Sequence, residues 1–475
     1  MSLSSILYLF FLLLVFAVYY ALPHRFRWSW LLLAGYFFYF TFHPLFLILL
    51  VVSTSVAYGF GRLVKPSQSR LLLGSGVGLL LLPLLFFKYY AFLNQNLTSL
   101  LGFWGHSSPF PSWAPLVPVG ISFYTFQAIS YLIDIRRGYL KPERHFGYFA
   151  TYLAFFPTLS AGPIERAKRL LTQLHTPQPF RYENAVAGLQ LIAWGLFKKV
   201  VIANQLAALL DPVFAQPQSQ SGLVLYSALI FAPFQIFCDF SGYSDIARGS
   251  ARMLGLHLMR NFDDRVYASS SRIEFWKGWH ISLTSWFRDY VYFPLSKSLR
   301  SRTGLYMNLL VVYFLTGLWH GATWGYILWG LLNGLWLVAE HATKAQRQSF
   351  FRRLWPDLNA PAHRFLSTLL VFHAGALMGV FLRAPTVGAA GAFLTGLVSA
   401  NRWEVSAIGG VKPFIPVVLG LLLMDIVNRR LNGRELPELL ASYHGLPRWS
   451  FYLALCILIL TFGRITDTPF FYYQF

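Results

Sequence analysis

The chain has 475 residues, of which 56% are hydrophobic, 18% aromatic and only 12% charged, and its mean hydropathy is +0.50. Soluble domains carry about 25% charged residues, so a soluble multidomain enzyme is excluded and a polytopic membrane protein is expected. The net charge of +21 does not point to nucleic acid, because Lys and Arg fall in short segments between apolar runs, as in cytoplasmic loops facing anionic lipid.

A membrane span needs about 20 apolar residues. The apolar runs predict spans near 3–22, 29–42, 45–61, 71–93, 116–135, 184–210, 222–247, 305–321, 325–341, 365–382, 412–428 and 449–463. Residues 1–22 lack the basic start and the small-residue cleavage site of a signal peptide, and are read as a retained first span. The 23–28 loop carries Arg25 and Arg27, the 62–70 loop Arg62, Lys65 and Arg70, and the 136–145 loop Arg136, Arg137, Lys141 and Arg144. The 94–114 stretch between the last two has no charge, which places it and the N-terminus outside.

Residues 146–163 are apolar but short, interrupted by Pro157, Gly162 and Pro163, and flanked by basic residues on both sides. They read as a re-entrant segment, whose irregular backbone must be buried in protein or line a cavity. Residues 260–302 are the least membrane-like long stretch, with eight basic residues, Arg300 among them. Trp276, Trp279, Leu283, Phe287 and Tyr290 recur there at helical spacing. An amphipathic helix over 274–290 at the cytoplasmic interface follows, with Lys277 and Arg288, about three turns apart, on one face. The segment 383–411 is assigned to no element. No internal repeat or low-complexity tract is present.

Two of the twelve histidines stand out. His280 lies on the apolar side of the interfacial segment, and His320 lies deeper, in "TGLWHGATWG" (316–325). A histidine near neutrality is the usual acceptor when a hydroxyl must become a nucleophile, and ionisable groups at membrane depth are functional candidates by default. Each also has a plain reading: His280 as an interfacial side chain, His320 as a histidine bonded to a neighbouring helix. Gly317, Gly321 and Gly325 admit close helix packing and equally the close approach of a substrate. Trp319, Trp324, Trp329 and Trp336 read as packing or interface anchors. In "CDFSGYSDIARG" (238–249), Asp239 and Asp245 beside Ser241, Tyr243 and Ser244 could orient a histidine, hold a polar substrate or merely end a helix. The other histidines are taken to lie in loops or at span ends. Cys238 and Cys456 offer neither a disulfide framework nor metal spacing. There is no HExxH, P-loop or GxSxG.

Six blocks resemble the membrane-bound O-acyltransferase (MBOAT) family, and within it the bacterial alginate O-acetyltransferase branch. They are "PVGISFYTFQAISYLIDIRRG" (118–138), "FFPTLSAGPIERA" (155–167), "FCDFSGYSDIARG" (237–249), "EFWKGWHISLTSWFRDYVYFPL" (274–295), "LTGLWHGATWGYILWG" (315–330) and "PFFYYQF" (469–475). The resemblance covers roughly 1–345 and the C-terminal tail, and extends over 346–465 only in hydropathy. It implies an all-α polytopic fold of about 11–12 transmembrane helices with re-entrant and interfacial helices around a transmembrane tunnel. It implies one MBOAT membrane domain over 1–475, with N-terminal helices (1–115), a catalytic core (116–345) and C-terminal helices (346–475).

The same resemblance implies that His320 is catalytic and that His280 lies on the cytoplasmic side of the site. Lys277, Arg288, Arg272 and Trp279 become the candidate donor-binding residues, and Asp239, Ser241, Asp289 and Trp319 the supporting ones. The branch usually carries two adjacent basic residues before "WH", where this chain has Lys277 and Gly278; Arg272 or Arg288 is the expected substitute. The implied partners are an acyl-CoA, acetyl-CoA first, or another acyl thioester; a periplasmic acyltransferase; a polysaccharide acceptor such as an alginate- or cellulose-like exopolysaccharide; and the bilayer. No metal, resident cofactor or nucleic acid is expected, and the place is the bacterial inner membrane.

Two further functions stay open on sequence. D-alanyl transfer to teichoic acid is disfavoured by the chain length and the "LTGLWHGATW" wording. A non-catalytic transporter is disfavoured by the lack of an inverted repeat or paired broken helices. Acylation of a secreted protein or a lipid is not excluded by any residue.

Overall fold

The computed structural model of the chain describes residues 1–66, 70–299, 301–355, 357, 360–399 and 414–464. Arg300, the segment 400–411 and the terminal "PFFYYQF" lie outside the described residues. Every regular element among the described residues is a helix, as expected. Five are long and apolar enough to cross a membrane by length and composition: Pro44–Leu63, Arg70–Gly102, Tyr182–Ala215, Gly222–Met253 and Pro361–Arg383.

The described residues divide into two compact units, one built from Met1–Ile192 and Tyr243–Met259, the other from Ala193–Gly242 and the residues from Arg260 onward. In the first unit, α1 (Ile6–Ala21), α2 (His24–Phe40), α3 (Pro44–Leu63), α4 (Arg70–Gly102) and α5 (Ile121–Arg136) follow the apolar runs. Helix α4 continues to Gly102, well into the uncharged stretch expected to be loop. Its end is tied to the returning chain: the Asn94 amide donates to the Pro111 carbonyl at 3.0 Å, and the Ser108 hydroxyl donates to Asn94 Oδ1 at 2.6 Å.

The expected re-entrant segment is two short helices, α6 (Phe146–Leu153) and α7 (Phe156–Leu159), broken at Ala154–Phe155 and followed by α8 (Ala167–His175). Phe149, Tyr152, Leu153, Phe155, Phe156 and Leu159 are all fully buried, so the broken backbone is wrapped in protein, as such backbone must be. Two glycines make room for its carbonyls. A Cβ on Gly35 would stand 2.0 Å from Ala154 O, and one on Gly120, whose φ of 74° itself favours glycine, 2.0 Å from Leu159 O.

Helix α9 (Tyr182–Leu196) passes through a π-helical turn, Phe197–Ala203, into α10 (Asn204–Ala215), and α11 (Gly222–Met253) follows. A π turn displaces its carbonyls from the regular ladder; here Val200 O accepts the Arg464 N–H at 2.9 Å. In the second unit, a Cβ on Gly242 of α11 would come 2.7 Å from Gly195 O and 3.0 Å from Lys199 N, so the two backbones touch beside the π turn.

The 260–302 stretch departs from expectation. The single amphipathic helix is instead α12 (Arg272–Gly278) and α13 (Ile281–Phe287), then a π turn, Arg288–Tyr292, and α14 (Phe293–Ser298). The start of α12 is legible in the sequence: Ser271 Oγ accepts the Glu274 N–H at 3.0 Å, and Glu274 Oε2 accepts the Ser270 N–H at 2.7 Å. Beyond it, α15 (Arg302–His320) and α16 (Trp324–Ala342) form a hairpin, followed by α17 (Lys344–Leu354), α18 (Pro361–Arg383), α19 (Val387–Val398), α20 (Ile415–Leu431), α21 (Leu436–Ala441) and α22 (Leu446–Phe462). Helix α19 falls in the segment that the sequence left unassigned. His373 lies mid-way along α18, not at a span end, and its Nε2 is 3.1 Å from the Tyr226 hydroxyl.

Glycines make the α15–α16 seam. A Cβ on Gly317 would lie 2.4 Å from Tyr326 O, and one on Gly330 would lie 2.4 Å from Tyr313 O. A Cβ on Gly321 would run into the Tyr326 ring, and one on Gly325 would lie 2.6 Å from Phe381 O. On the side a Cβ would occupy, these glycines are spent on helix packing. Gly317→Ala is therefore expected to part the hairpin one turn before His320. Overpacking of this kind costs about 1–3 kcal/mol, so a lowered thermal midpoint and a fall in activity are expected together; an unchanged midpoint would count against the seam.

Candidate active site

His320 is the last residue of α15, 2% exposed, where the 19-residue helix has risen about 27 Å from Arg302. Its ring sits edge-on between Trp319 (centroids 5.1 Å apart) and Trp329 of α16 (4.9 Å). His280 occupies the corner between α12 and α13 and is fully buried. It packs edge-on against Phe240 of α11 at 4.5 Å and against the same Trp319 indole at 5.5 Å. The two histidines thus come together on Trp319 from segments 40 residues apart in sequence.

The corner is held by left-handed backbone at His280, with φ 43° and ψ 56°. A non-glycine residue there carries strain, of order 1–3 kcal/mol, that the surroundings must override. Asn261 does so: its carbonyl accepts the Ile281 N–H at 2.8 Å and its Oδ1 accepts the Ser282 N–H at 3.3 Å, while the Asp263 N–H reaches Gly278 O at 2.9 Å. Burial, and next to it the His320 ring, push the His280 pKa well below its ordinary value, so the ring is neutral at pH 7. A neutral imidazole offers one donor and one acceptor nitrogen.

Asp239 is buried, and its Oδ1 lies 2.5 Å from Lys199 Nζ, with both side chains 2% exposed. Lys199 was missed in the sequence, although "FKKV" inside an apolar run was signal enough. Ser241 is buried two residues on, and its hydroxyl has no hydrogen-bond partner among the described residues. The other members of that cluster belong to the first unit: the Tyr243 hydroxyl lies 3.1 Å from Ser160 Oγ, and Asp245 pairs with Arg248 at 3.2 Å.

The candidate donor-binding residues separate. Lys277 and Arg288 are exposed but lie on opposite sides of the break at His280, so they do not share a helix face. Arg288 pairs with the neighbouring Asp289 carboxylate at 2.9 Å. Trp279 is buried, stacked on Phe275 at 5.3 Å and edge-on to Phe262 at 5.1 Å. Arg272 is also buried, bonded to Asn333 rather than turned to the surface. Gly278 leaves no space for a second basic side chain, because its Cβ would meet Asp263 Oδ2 at 2.8 Å.

The two buried imidazoles and the indole they share form the candidate site. The sequence profile of the membrane-bound O-acyltransferase family matches residues 136–382. The chain is 36% identical over 416 residues to the probable alginate O-acetylase AlgI of Pseudomonas putida, covering 86% of this chain and 82% of that protein. It is 32% identical to the peptidoglycan O-acetyltransferase of Helicobacter pylori, over 78% of this chain and 74% of that one. It is also 32% identical to the teichoic acid D-alanyltransferase of Streptococcus thermophilus, over 56% and 62%. The chain belongs to the membrane-bound O-acyltransferase family and is an acyltransferase.

Proposed function

We propose that this enzyme moves an acetyl group from a cytoplasmic thioester, acetyl-CoA first among the candidates, for O-acetylation of a polysaccharide outside the membrane. The convergence of His280 and His320 on Trp319 carries the reading. His320 acts as general base: it takes the acceptor hydroxyl proton as the oxygen attacks the thioester carbonyl, a C–O bond forms, the C–S bond breaks, and the proton passes on to the thiolate. His280, neutral and fixed by the strained corner, donates its ring N–H to the carbonyl oxygen and positions the thioester. Lys277 and Arg288, both exposed and one on each side of the corner, attract the anionic end of the donor.

The relatives support a carbohydrate acceptor, since two of them are named for O-acetylation of alginate and of peptidoglycan. An acceptor beyond the membrane calls for a periplasmic acyltransferase to finish the relay, and the spacing of the basic loops supports an inner-membrane chain with its N-terminus outside. D-alanyl transfer is the second reading, favoured less because that likeness spans little more than half the chain. The test is deletion of the gene in the native host, with ester-linked substituents on secreted and wall polymers measured before and after complementation. Loss and recovery of acetate is expected. Loss of D-alanine instead would replace the reading, and no change in either would overturn it.

A further inference from the structure

Within the second unit, α11, the turn Val266–Ala268, α12, α16 and α18 line a cavity of about 90 Å³ that is open on one side. Its walls are almost wholly apolar and aromatic, among them Ile236, Phe237, Val371 and the indoles of Trp279 and Trp329. One charged side chain borders it, Arg272, which is only 3% exposed. Burial pulls the Arg272 pKa down to about 10, which leaves the guanidinium protonated at neutral pH.

The partners of Arg272 do not cancel that charge. Nε donates to Asn333 Oδ1 at 2.9 Å and Nη2 donates to the same oxygen, which is neutral. The acidic groups it feels are Tyr313 and Glu340, yet the Glu340 carboxylate accepts the Arg272 backbone N–H at 3.0 Å and lies 3.8 Å from Arg347, and no carboxylate among the described residues forms an ion pair with the guanidinium. Nη1 makes no hydrogen bond among the described residues and points toward Gly375 on the cavity wall, where a Cβ would stand 3.0 Å from it. A buried cation with a free donor at the edge of an apolar cavity matches an anion that carries a small apolar end.

We propose that this cavity binds a short-chain carboxylate of the size of acetate or propionate, its oxygens on Arg272 Nη1 and its alkyl end against Trp279 and Trp329. Size sets what the walls can hold: an apolar cavity of about 150 Å³ admits benzene with its six carbons, so the walled 90 Å³ scales to about four non-hydrogen atoms, the number in acetate, and a longer chain would leave its apolar end outside the walls. So small a ligand binds weakly, at tens of micromolar or above. Trp279 precedes His280 in the chain and Trp329 packs on His320, so the occupant shares its walls with the histidine pair. The site stands on this geometry alone and not on the acetyl-transfer reading, although hydrolysis of an acetyl thioester would yield such a ligand.

The test is saturation-transfer difference NMR on the full-length purified protein, at constant ionic strength, observing the methyl signals of acetate, propionate and hexanoate. Acetate and propionate are expected to give signal, with hexanoate at least tenfold weaker. Gly379→Leu fills the cavity from α18 at a position where a Cβ meets nothing within 4 Å, and Arg272→Gln removes the cation; each is expected to cut the acetate signal at least tenfold. Arg272→Gln also disturbs Asn333, so if that variant fails to fold, Gly379→Leu decides alone. An acetate signal that survives Gly379→Leu, a hexanoate signal as strong as acetate's, or displacement by chloride at matched concentration would overturn the proposal. None of these readouts depends on acyl transfer.

Discussion

Replacing His320 with alanine is expected to lower acyl transfer by about 10²–10⁴-fold, the usual contribution of a positioned general base. His320→Gln separates chemistry from packing, because it keeps a polar side chain between Trp319 and Trp329 but cannot take a proton near neutrality. Both variants should reach the membrane at normal levels, and the glutamine variant should keep its thermal midpoint. Acetyl-ester formation within about threefold of wild type in either would remove His320 from the chemistry. Loss of protein together with loss of activity in both would return the residue to a packing role.

The second large effect is on stability and comes from the Lys199–Asp239 pair, 2.5 Å apart and sealed from solvent. Removing one partner of a buried pair strands the other charge and costs about 3–5 kcal/mol, whereas replacing both with apolar residues is often close to neutral. Lys199→Met and Asp239→Leu are each expected to lower the thermal midpoint sharply, and the double variant to recover most of the loss. Activity then reads the rest. A double variant that is stable but inactive gives the pair a part in acyl transfer, and one that is stable and active confines it to holding α11 against the π turn. Single variants with unchanged midpoints would show that the pair is not desolvated as described.

Much of the fold was legible because the length of an apolar run is a property of composition, and most predicted spans coincide with helices. The re-entrant segment was legible for a similar reason: Pro157 and Gly162 break a run that is too short to cross. The interfacial stretch was misread, since the spacing of Trp276, Trp279 and Leu283 runs straight through the break. The left-handed turn at His280 is set by Asn261, some twenty residues away, and no local pattern reveals such a partner. The glycines near His320 were ambiguous in sequence for a physical reason: a missing Cβ records that something comes close, not what does. Of the candidate supporting residues, Trp319 packs against both histidines and Asp239 is engaged by Lys199, while Arg272, a candidate donor-binding residue, is turned inward.

The corner at His280 also acts as a ruler. Lys277 is exposed and His280 fully buried, yet only two residues separate them, which limits the Cα-to-Cα distance to about 11 Å. A donor whose anionic end rests at Lys277 while its acyl end meets His280 must match that reach. Selection among thioesters can therefore depend on the length of the arm between charge and sulfur, a quantity that lengthening the α12–α13 junction by one residue would alter without touching either histidine.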